Sequence, residues 1–301
     1  MFELNTSIFT LDELISTDIS AYDAVYLGDP FCAGYPENLI YNRKDLEKAV
    51  KILRENKKRA YVSSNAVPRN DDLSKVKEAL AISSEVGVDA VEAHNLGVLR
   101  MIKESFPKLN IHMGYLANIY TLATVLKLKE EGVRRFIANY ELSLDELGEL
   151  KDECGLEVEL LLHGKMILGI SEDCLSKKWV PEPSAPGNCR DLCRNGPSLS
   201  SQGMTLHNFG RLTLSGRDVC MIEHLPSLLE KGFSCFKLET FGEDREYAAA
   251  VAKIYREALS AAKDADYNPQ KYIRLLEKYS TDGFCNGYYF STSGQEYVSK
   301  G

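Results

Sequence analysis

Residues 88–113 read VDAVEAHNLGVLRMIKESFPKLNIHM, and this stretch decides the fold. A short apolar run at Ala90–Ala93 is followed by an amphipathic segment at Leu96–Ser105 and by a second apolar run at Asn110–Met113. Nearly continuous apolar runs are typical of parallel strands that helices cover on both faces. The stretch therefore predicts a strand, a helix and a second strand parallel to the first.

The same unit repeats along the chain. Strands are predicted at Phe2–Asn5, Ala24–Leu27, Arg59–Ser63, Ala90–Ala93, Asn110–Met113, Arg135–Ala138, Glu157–Leu162 and Cys235–Leu238. Eight strands that alternate with helices predict a (β/α)₈, TIM-barrel-like α/β fold, as a single domain over residues 1–301. The alternative is a doubly wound open sheet, but no G-x-G-x-x-G follows the first strand, so a dinucleotide-binding sheet is disfavoured.

The repeat is interrupted between residues 169 and 216. This stretch is rich in proline, serine and glycine and has no clear period, which predicts an irregular, cysteine-bearing insertion after the seventh strand. Residues 267–301 are rich in tyrosine and polar residues and are predicted to form a packed C-terminal tail.

Composition restricts the class of partner. The 301 residues include 36 Lys and Arg against 44 Asp and Glu, a net charge of −8 that repels phosphates over the molecule as a whole. RNA is therefore disfavoured as a partner, although a local basic patch stays open. No apolar run approaches the length of a membrane span and no leader pattern opens the chain, so we expect a cytoplasmic protein. Cytosolic thiols stay reduced, and eight cysteines there favour metal binding over disulfides.

The cysteines of the insertion are the strongest chemical signal. Cys174 precedes Cys189-Arg-Asp-Leu-Cys193, and Cys220 follows. Soft thiolates at this spacing suit zinc or an iron–sulfur cluster, and spacing alone does not separate the two. The alternative is that they are small buried hydrophobic residues. Cys32 follows the second strand in a loop, where a ligand and a half-buried thiol are equally expected.

Polar residues also follow the other predicted strands, at the end where barrel enzymes place their chemistry. We predict that His163 and Glu239 face the barrel mouth, with Glu141 as a third catalytic candidate. The other polar residues at this end are Asn65, His94, Asn95 and Asn118. No nucleophile–base pair is recognisable in the sequence, nor any G-x-S-x-G, P-loop or H-E-x-x-H motif.

Several motifs occur in a fixed order. They are His163-Gly-Lys-Met-Ile167, Ser171-Glu-Asp-Cys174, Gly187-Asn-Cys-Arg-Asp-Leu-Cys-Arg194, Ser215-Gly-Arg-Asp-Val-Cys220 and Phe236-Lys-Leu-Glu239. Together they resemble the collagenase-like peptidase family U32. The resemblance implies a barrel-like fold that holds a 4Fe–4S cluster. It also implies a role in oxygen-independent hydroxylation, either of ubiquinone precursors or of tRNA and rRNA bases.

The departures from the family pattern matter for the ligand set. Ile167 stands where the family has a cysteine. A ubiquinone-biosynthesis member of the family also lacks that cysteine, and it has another one after its second strand. In this chain Cys32, in Gly28-Asp-Pro-Phe-Cys32, matches that second position. The resemblance thus implies ligation by Cys32, Cys174, Cys189 and Cys193, with Cys32 preferred to Cys220. Thr240-Phe-Gly242 and Tyr140-Glu141 replace arginine-containing family motifs, which removes positive charge from the expected substrate face.

The resulting hypothesis is the iron–sulfur component of an oxygen-independent hydroxylase. The expected substrate is a quinone precursor or related aromatic, and a second family member is expected as heterodimer partner. The alternatives are a tRNA or rRNA base hydroxylase, a non-catalytic iron–sulfur accessory subunit, and a peptidase, as the older family label says.

Overall fold

The structure is a computed structural model that describes residues 2–32, 35, 37–178, 193, 196–240 and 242–299. Its centre is a closed barrel of eight parallel strands. These are β1 (Glu3–Ile8), β2 (Ala24–Leu27), β3 (Arg59–Ser63), β4 (Ala90–Ala93), β5 (Ile111–Met113), β6 (Val133–Ile137), β7 (Glu157–Ile170) and β11 (Cys235–Leu238). Closure occurs at β11, where Phe236 pairs with Leu4 of β1 on one side and with Leu160 of β7 on the other. The predicted (β/α)₈ barrel is confirmed.

Helices cover the outside of the barrel. They are α1 (Leu11–Ser16), α2 (Arg43–Glu55), α3 (Leu73–Val86), α4 (Leu96–Ser105), α5 (Leu122–Glu130), α6 (Leu144–Cys154), α7 (Leu175–Lys178), α8 (Leu225–Glu230), α9 (Arg245–Ala261) and α10 (Pro269–Leu276). Local sequence sets their ends: Ser143 and Glu146 form a capping box at the start of α6, and Gly155 ends it at φ 66°. The apolar core lies between these helices and the strands.

The insertion lies where it was predicted, but its described part is more regular than expected. The strand β7 extends beyond the barrel and pairs with β10 (Leu212–Cys220), which pairs in turn with β9 (Met204–Phe209) and β8 (Ser198–Ser201). Gln202 and Gly203 join β8 to β9 with φ 49° and 79°, the conformation of a type I′ hairpin turn. The sequence interpretation overlooked this Gln-Gly turn.

The inside of the barrel is polar. Tyr26 Oη of β2 lies 3.0 Å from Glu159 Oε2 of β7 and 2.7 Å from His112 Nδ1 of β5, and Asn5 Nδ2 of β1 donates to the same Glu159 oxygen at 3.0 Å. Side chains from four strands can meet in this way only inside a closed barrel. We call this interior the lumen.

The C-terminal residues pack against the barrel wall. The short strand β12 (Phe284–Cys285) pairs with β10, Asn286 Nδ2 donates to the Cys220 carbonyl at 2.9 Å, and Tyr289 Oη donates to the Leu161 carbonyl at 3.1 Å. Within the described ranges, no helix is long and apolar enough to cross a membrane.

Candidate functional site

The loop after β2 places Cys32 at the carboxyl end of the barrel. Gly28 begins the loop with φ 92°, and a Cβ there would lie 2.2 Å from Ile40 Cγ1, so only glycine fits. The backbone N–H groups of Phe31 and Cys32 donate to Asp29 Oδ1 at 2.8 and 3.2 Å. The main chain thus holds the cysteine at a defined position.

Asn38 locks the same loop from the other side. Its Nδ2 donates to the carbonyls of Asp29 and Cys32 at 2.8 and 3.1 Å, and its Oδ1 accepts from the Asp29 N–H at 3.1 Å. Burial raises the pKa of Asp29 to about 6, although the two N–H donors favour its charged form. The loop around Cys32 is therefore held by a buried hydrogen-bond network.

Three of the predicted ligands line one cavity. Cys32, Cys174 and Cys193 all border a space of about 420 Å³, which we call the cysteine cavity. Gly210 lies beside two of them: a Cβ on it would be 3.5 Å from Cys193 Cβ and 3.9 Å from Cys174 Sγ. Because glycine has no side chain, it leaves room next to both thiols. Cys189 lies outside the described residues.

A soft-ligand cofactor fits this donor set. Thiols from three separate segments surround one space, and thiolates are the ligands that iron–sulfur clusters use. Among the residues that the structure describes, no three His, Cys, Asp or Glu side chains are grouped as ligands of a single metal ion.

An apolar cluster borders the cysteine cavity, which Phe31 and Phe209 of this cluster line. Phe31, Ala66, Ile167, Phe209, Leu212 and Leu214 form it, with Tyr115, Tyr140 and Cys193 packed against it. Ile167 is thus in one cluster with Phe31, and Cys193 packs against this cluster. The position at which the resemblance implies a family cysteine therefore lies in one apolar cluster with Phe31, the residue before Cys32.

Cys220 lies elsewhere. It is fully buried, Tyr255 Oη donates to its Sγ at 3.6 Å, and it is not among the residues that line the cysteine cavity. Burial raises the pKa of this thiol to about 12, so it is protonated at neutral pH.

The prediction that His163 faces the barrel mouth is wrong. Its Nδ1 lies 3.3 Å from Tyr255 Oη of α9, and its ring packs near Tyr247 and Phe284, on the outer side of the wall. The cause is a register shift: Lys237 of β11 pairs with Leu161, but the next residue, Leu238, pairs with His163. One extra residue in β7 reverses which face the following side chains occupy. Burial lowers the pKa of His163 to about 4.

Glu239 directly follows β11, at the carboxyl end of the barrel, and its catalytic role stays a prediction. The side chain is buried, Oε1 accepts from the Thr240 N–H at 3.1 Å, and Oε2 is 3.9 Å from Lys237 Nζ. Burial raises its pKa to about 7, despite the opposing effect of Lys237. A carboxyl group with this pKa can give or accept a proton near neutral pH.

Glu141 does not join this group. It is exposed and accepts a hydrogen bond from Tyr120 Oη at 3.0 Å on the surface, so the structure does not bring it together with Glu239.

A second buried pair of polar side chains, Glu92 and His94, lies at the mouth of the lumen. The sequence interpretation gave this pair no role. His94 Nε2 is 3.5 Å from Glu92 Oε1, and neither ring nitrogen of His94 has a hydrogen bond among the described residues. Gly114 admits this ring, since a Cβ there would lie 2.2 Å from Nδ1. The alternation of Glu92 and His94 on one strand face was the available signal.

Comparison with known proteins identifies the family. The sequence profile of peptidase family U32 matches residues 11–299. The chain belongs to peptidase family U32. An uncharacterized protease of Methanocaldococcus jannaschii is 30% identical over 280 residues, which cover 89% of this chain and 68% of that protein. The tRNA hydroxylation protein P2 of Bacillus subtilis is 29% identical over 232 residues, 73% of each chain.

A solved structure supports the fold alone. The N-acetylneuraminate lyase of Aliivibrio salmonicida superimposes with a TM-score of 0.53 over 94% of this chain and 84% of that one, at 10% identity. The U32 chain therefore has a barrel of the same general architecture as a lyase of unrelated sequence.

Proposed function

We propose that this U32 protein is the iron–sulfur component of an oxygen-independent hydroxylation of an aromatic ring. The proposed cluster is 4Fe–4S, and its ligands are Cys32, Cys174, Cys189 and Cys193. The observation that carries the proposal is the convergence of Cys32, Cys174 and Cys193 on one cavity at the carboxyl end of the barrel. The hydroxylation named for the Bacillus subtilis relative supports the reaction class.

Each part of the site has a distinct role in this proposal. When bound, the cluster supplies one-electron transfer at a potential set by burial and hydrogen bonds. The network of Asp29 and Asn38 orients Cys32, and Phe31 and Phe209 exclude water from the inner side of the cavity. Glu239 holds or moves a proton at its carboxyl group.

The substrate class follows from the walls and the charges. The aromatic rings of Tyr115 and Tyr140, with centroids 5.1 Å apart, border the apolar cluster and suit a flat ring. The cavity is lined by four acidic residues and two arginines, namely Asp29, Asp72, Glu172, Asp173, Arg69 and Arg211. This excess of acid around the proposed cluster, with a net charge of −8, disfavours an anionic substrate beside it. The ring of a quinone precursor is the substrate that we propose.

A nucleobase is the second candidate, because the Bacillus subtilis relative is named for tRNA hydroxylation. The two candidate substrates are distinguished in a strain that lacks the gene for this protein and is grown without oxygen. Loss of a hydroxylated quinone intermediate, measured by mass spectrometry of lipid extracts, supports the first. Loss of a hydroxylated nucleoside from digested tRNA, with unchanged quinones, supports the second.

The cluster itself is tested by metal analysis. Protein purified under argon is expected to be brown and to contain about four irons and four sulfides per chain, the content of a cubane cluster. Iron, zinc and acid-labile sulfide are measured on the same sample. Stoichiometric zinc without sulfide would contradict both the cluster and the hydroxylation.

Glu239→Gln is expected to separate activity from stability. Between about pH 4.5 and 7 the folded state holds the Glu239 proton more tightly than the unfolded state, so stability falls as the pH rises through this window. At pH 8 the wild type contains a buried charge that glutamine lacks. We expect the free energy of unfolding of the variant to be higher by about 2–3 kcal/mol at pH 8 and equal near pH 4.

In the same variant, the iron content is expected to be unchanged and the hydroxylation lost. The fold is expected to persist because the buried Lys237 still has Glu92 nearby as a counter-charge. Urea denaturation at the two pH values measures the stability. A variant that is less stable at both would identify Glu239 as a structural partner of Lys237.

A further inference from the structure

A serine, a histidine and an aspartate form a hydrogen-bonded chain on the β8–β9 hairpin. Ser198 Oγ lies 2.8 Å from His207 Nδ1, and His207 Nε2 lies 3.1 Å from Asp282 Oδ2. These are the distances expected between a nucleophile, its base and the group that orients the base. The sequence showed no such pair because the residues are 9 and 75 positions apart.

The hairpin explains why Ser198 meets His207. The two residues are opposite each other in the β8–β9 ladder. Asn208 N–H donates to the Pro197 carbonyl, so the adjacent pair of Ser198 and His207 occupies a non-hydrogen-bonded position, where facing side chains approach most closely. Asp282 comes from the loop before β12 and also accepts a hydrogen bond from Thr281 Oγ1 at 3.2 Å.

The hydrogen-bond chemistry assigns the protons. An ionised carboxylate only accepts, so the His207 nitrogen that faces Asp282, Nε2, carries the hydrogen. In the neutral ring Nδ1 is then unprotonated and accepts the Ser198 hydroxyl hydrogen. Partial burial alone would raise the pKa of Asp282, but its hydrogen bond from His207 lowers the pKa, so the carboxylate is charged at neutral pH.

The surroundings leave Ser198 open to a ligand. Ser198 is exposed, and its N–H points away from β9, toward the side of β8 that no described strand pairs with. This N–H is the donor available to a developing oxyanion. A cavity of about 220 Å³ has Asp282 in its wall together with the apolar Leu168, Met204 and Tyr288. Ser198 and His207 do not line this cavity, which adjoins the triad through Asp282; its size and its partly apolar wall suit a short apolar acyl group.

We propose that Ser198, His207 and Asp282 form a second catalytic site, which hydrolyses esters of short apolar acyl groups. Ser198 Oγ bonds to the acyl carbon while its proton passes to His207 Nδ1. The bond to the alcohol breaks, and the alcohol leaves with that proton. A water molecule then gives one proton to His207 and its hydroxyl to the acyl carbon. Ser198 leaves with the proton from His207, and a carboxylic acid is released.

This activity does not depend on the proposed function. None of the three residues lines the cysteine cavity, and no redox step is involved. A failure of the cluster experiments would leave this proposal intact, and the reverse also holds.

The test uses a fluorophosphonate probe and p-nitrophenyl butyrate on the full chain. The wild type is expected to bind the probe covalently at Ser198, located by peptide mass spectrometry, and to hydrolyse the ester. Ser198→Ala is expected to abolish labelling and to lower hydrolysis about tenfold or more, and His207→Gln to lower both comparably. Asp282→Asn is expected to give a smaller loss.

Ser200→Ala is the matched control. Ser200 is exposed on the same strand, but it faces Thr205 Oγ1 at 3.3 Å and no histidine. Labelling and hydrolysis are expected to match the wild type in this variant, and circular dichroism verifies folding in all four variants. Absence of labelling in the wild type, or equal labelling in Ser198→Ala and Ser200→Ala, would overturn the proposal.

Discussion

Cys32→Ala is expected to lower the iron content of the anaerobically purified protein from about four to below about one per chain, because a cubane with three remaining thiolates is poorly held. The alanine removes only the thiol from a loop whose other contacts, through Asp29 and Asn38, are made by the main chain. The fold should therefore persist. Iron and sulfide analysis, with the visible absorption of the cluster, measures the loss.

Cys220→Ala is the control for this experiment. Cys220 is buried against Tyr255 on the outer side of the barrel wall. The iron content of the Cys220→Ala protein is therefore expected to match that of the wild type. The opposite pattern would reassign the fourth ligand to Cys220. Loss in neither variant would contradict cysteine ligation at this position.

Ile167→Cys in the Cys32→Ala background provides a rescue. Ile167 lies in one apolar cluster with Phe31, and Cys193 borders this cluster. A thiol at position 167 is expected to restore the cluster, because Phe31 and Phe209 of the same apolar cluster line the cysteine cavity, although Ile167 itself does not. Failure of the rescue would mean that the loop after β2, and not the cavity alone, defines the ligand geometry.

Arg135→Met is expected to produce the largest loss of stability. The Arg135 guanidinium is buried in the lumen, where it donates to Glu3 at 2.6 and 3.1 Å, to Glu159 at 2.9 Å and to the half-exposed Glu157 at 2.8 Å. Without it, Glu3 and Glu159 stay buried without their principal counter-charge. Leaving buried charged groups without their partner lowers the free energy of unfolding by about 3–5 kcal/mol. Urea denaturation at pH 8 measures the difference.

Arg134→Met is the matched control because Arg134 is the exposed neighbour on the same strand. A change within about 0.5 kcal/mol is expected there. Equal unfolding midpoints for the two variants would show that the lumen network contributes nothing to stability.

The eight barrel strands and the capping of α6 could be predicted from the sequence because they depend on local patterns. The run Ala90–Ala93, apolar apart from Glu92, fits a buried strand, and Ser143 with Glu146 satisfies free N–H groups at the start of a helix. The cysteines of the site could also be picked out from their residue type and setting, and metal binding by them stays a prediction.

The hairpin was missed for a local reason. Gln-Gly is a weaker turn signal than Asn-Gly, and the prolines and serines before it suggested an irregular loop. The meeting of Ser198, His207 and Asp282 depends on that hairpin and on the packing of the tail.

The sequence by itself determined the barrel, its order of strands and the residue types of the cysteine site. Only the tertiary structure decided which side chains meet. One extra residue in β7 turned His163 to the outer wall, because a strand alternates faces with every residue. Closure of the barrel brought Cys32 to the cavity of Cys174 and Cys193, because the carboxyl ends of all eight parallel strands open on one side. Such contacts join residues more than a hundred positions apart, and no local pattern records them.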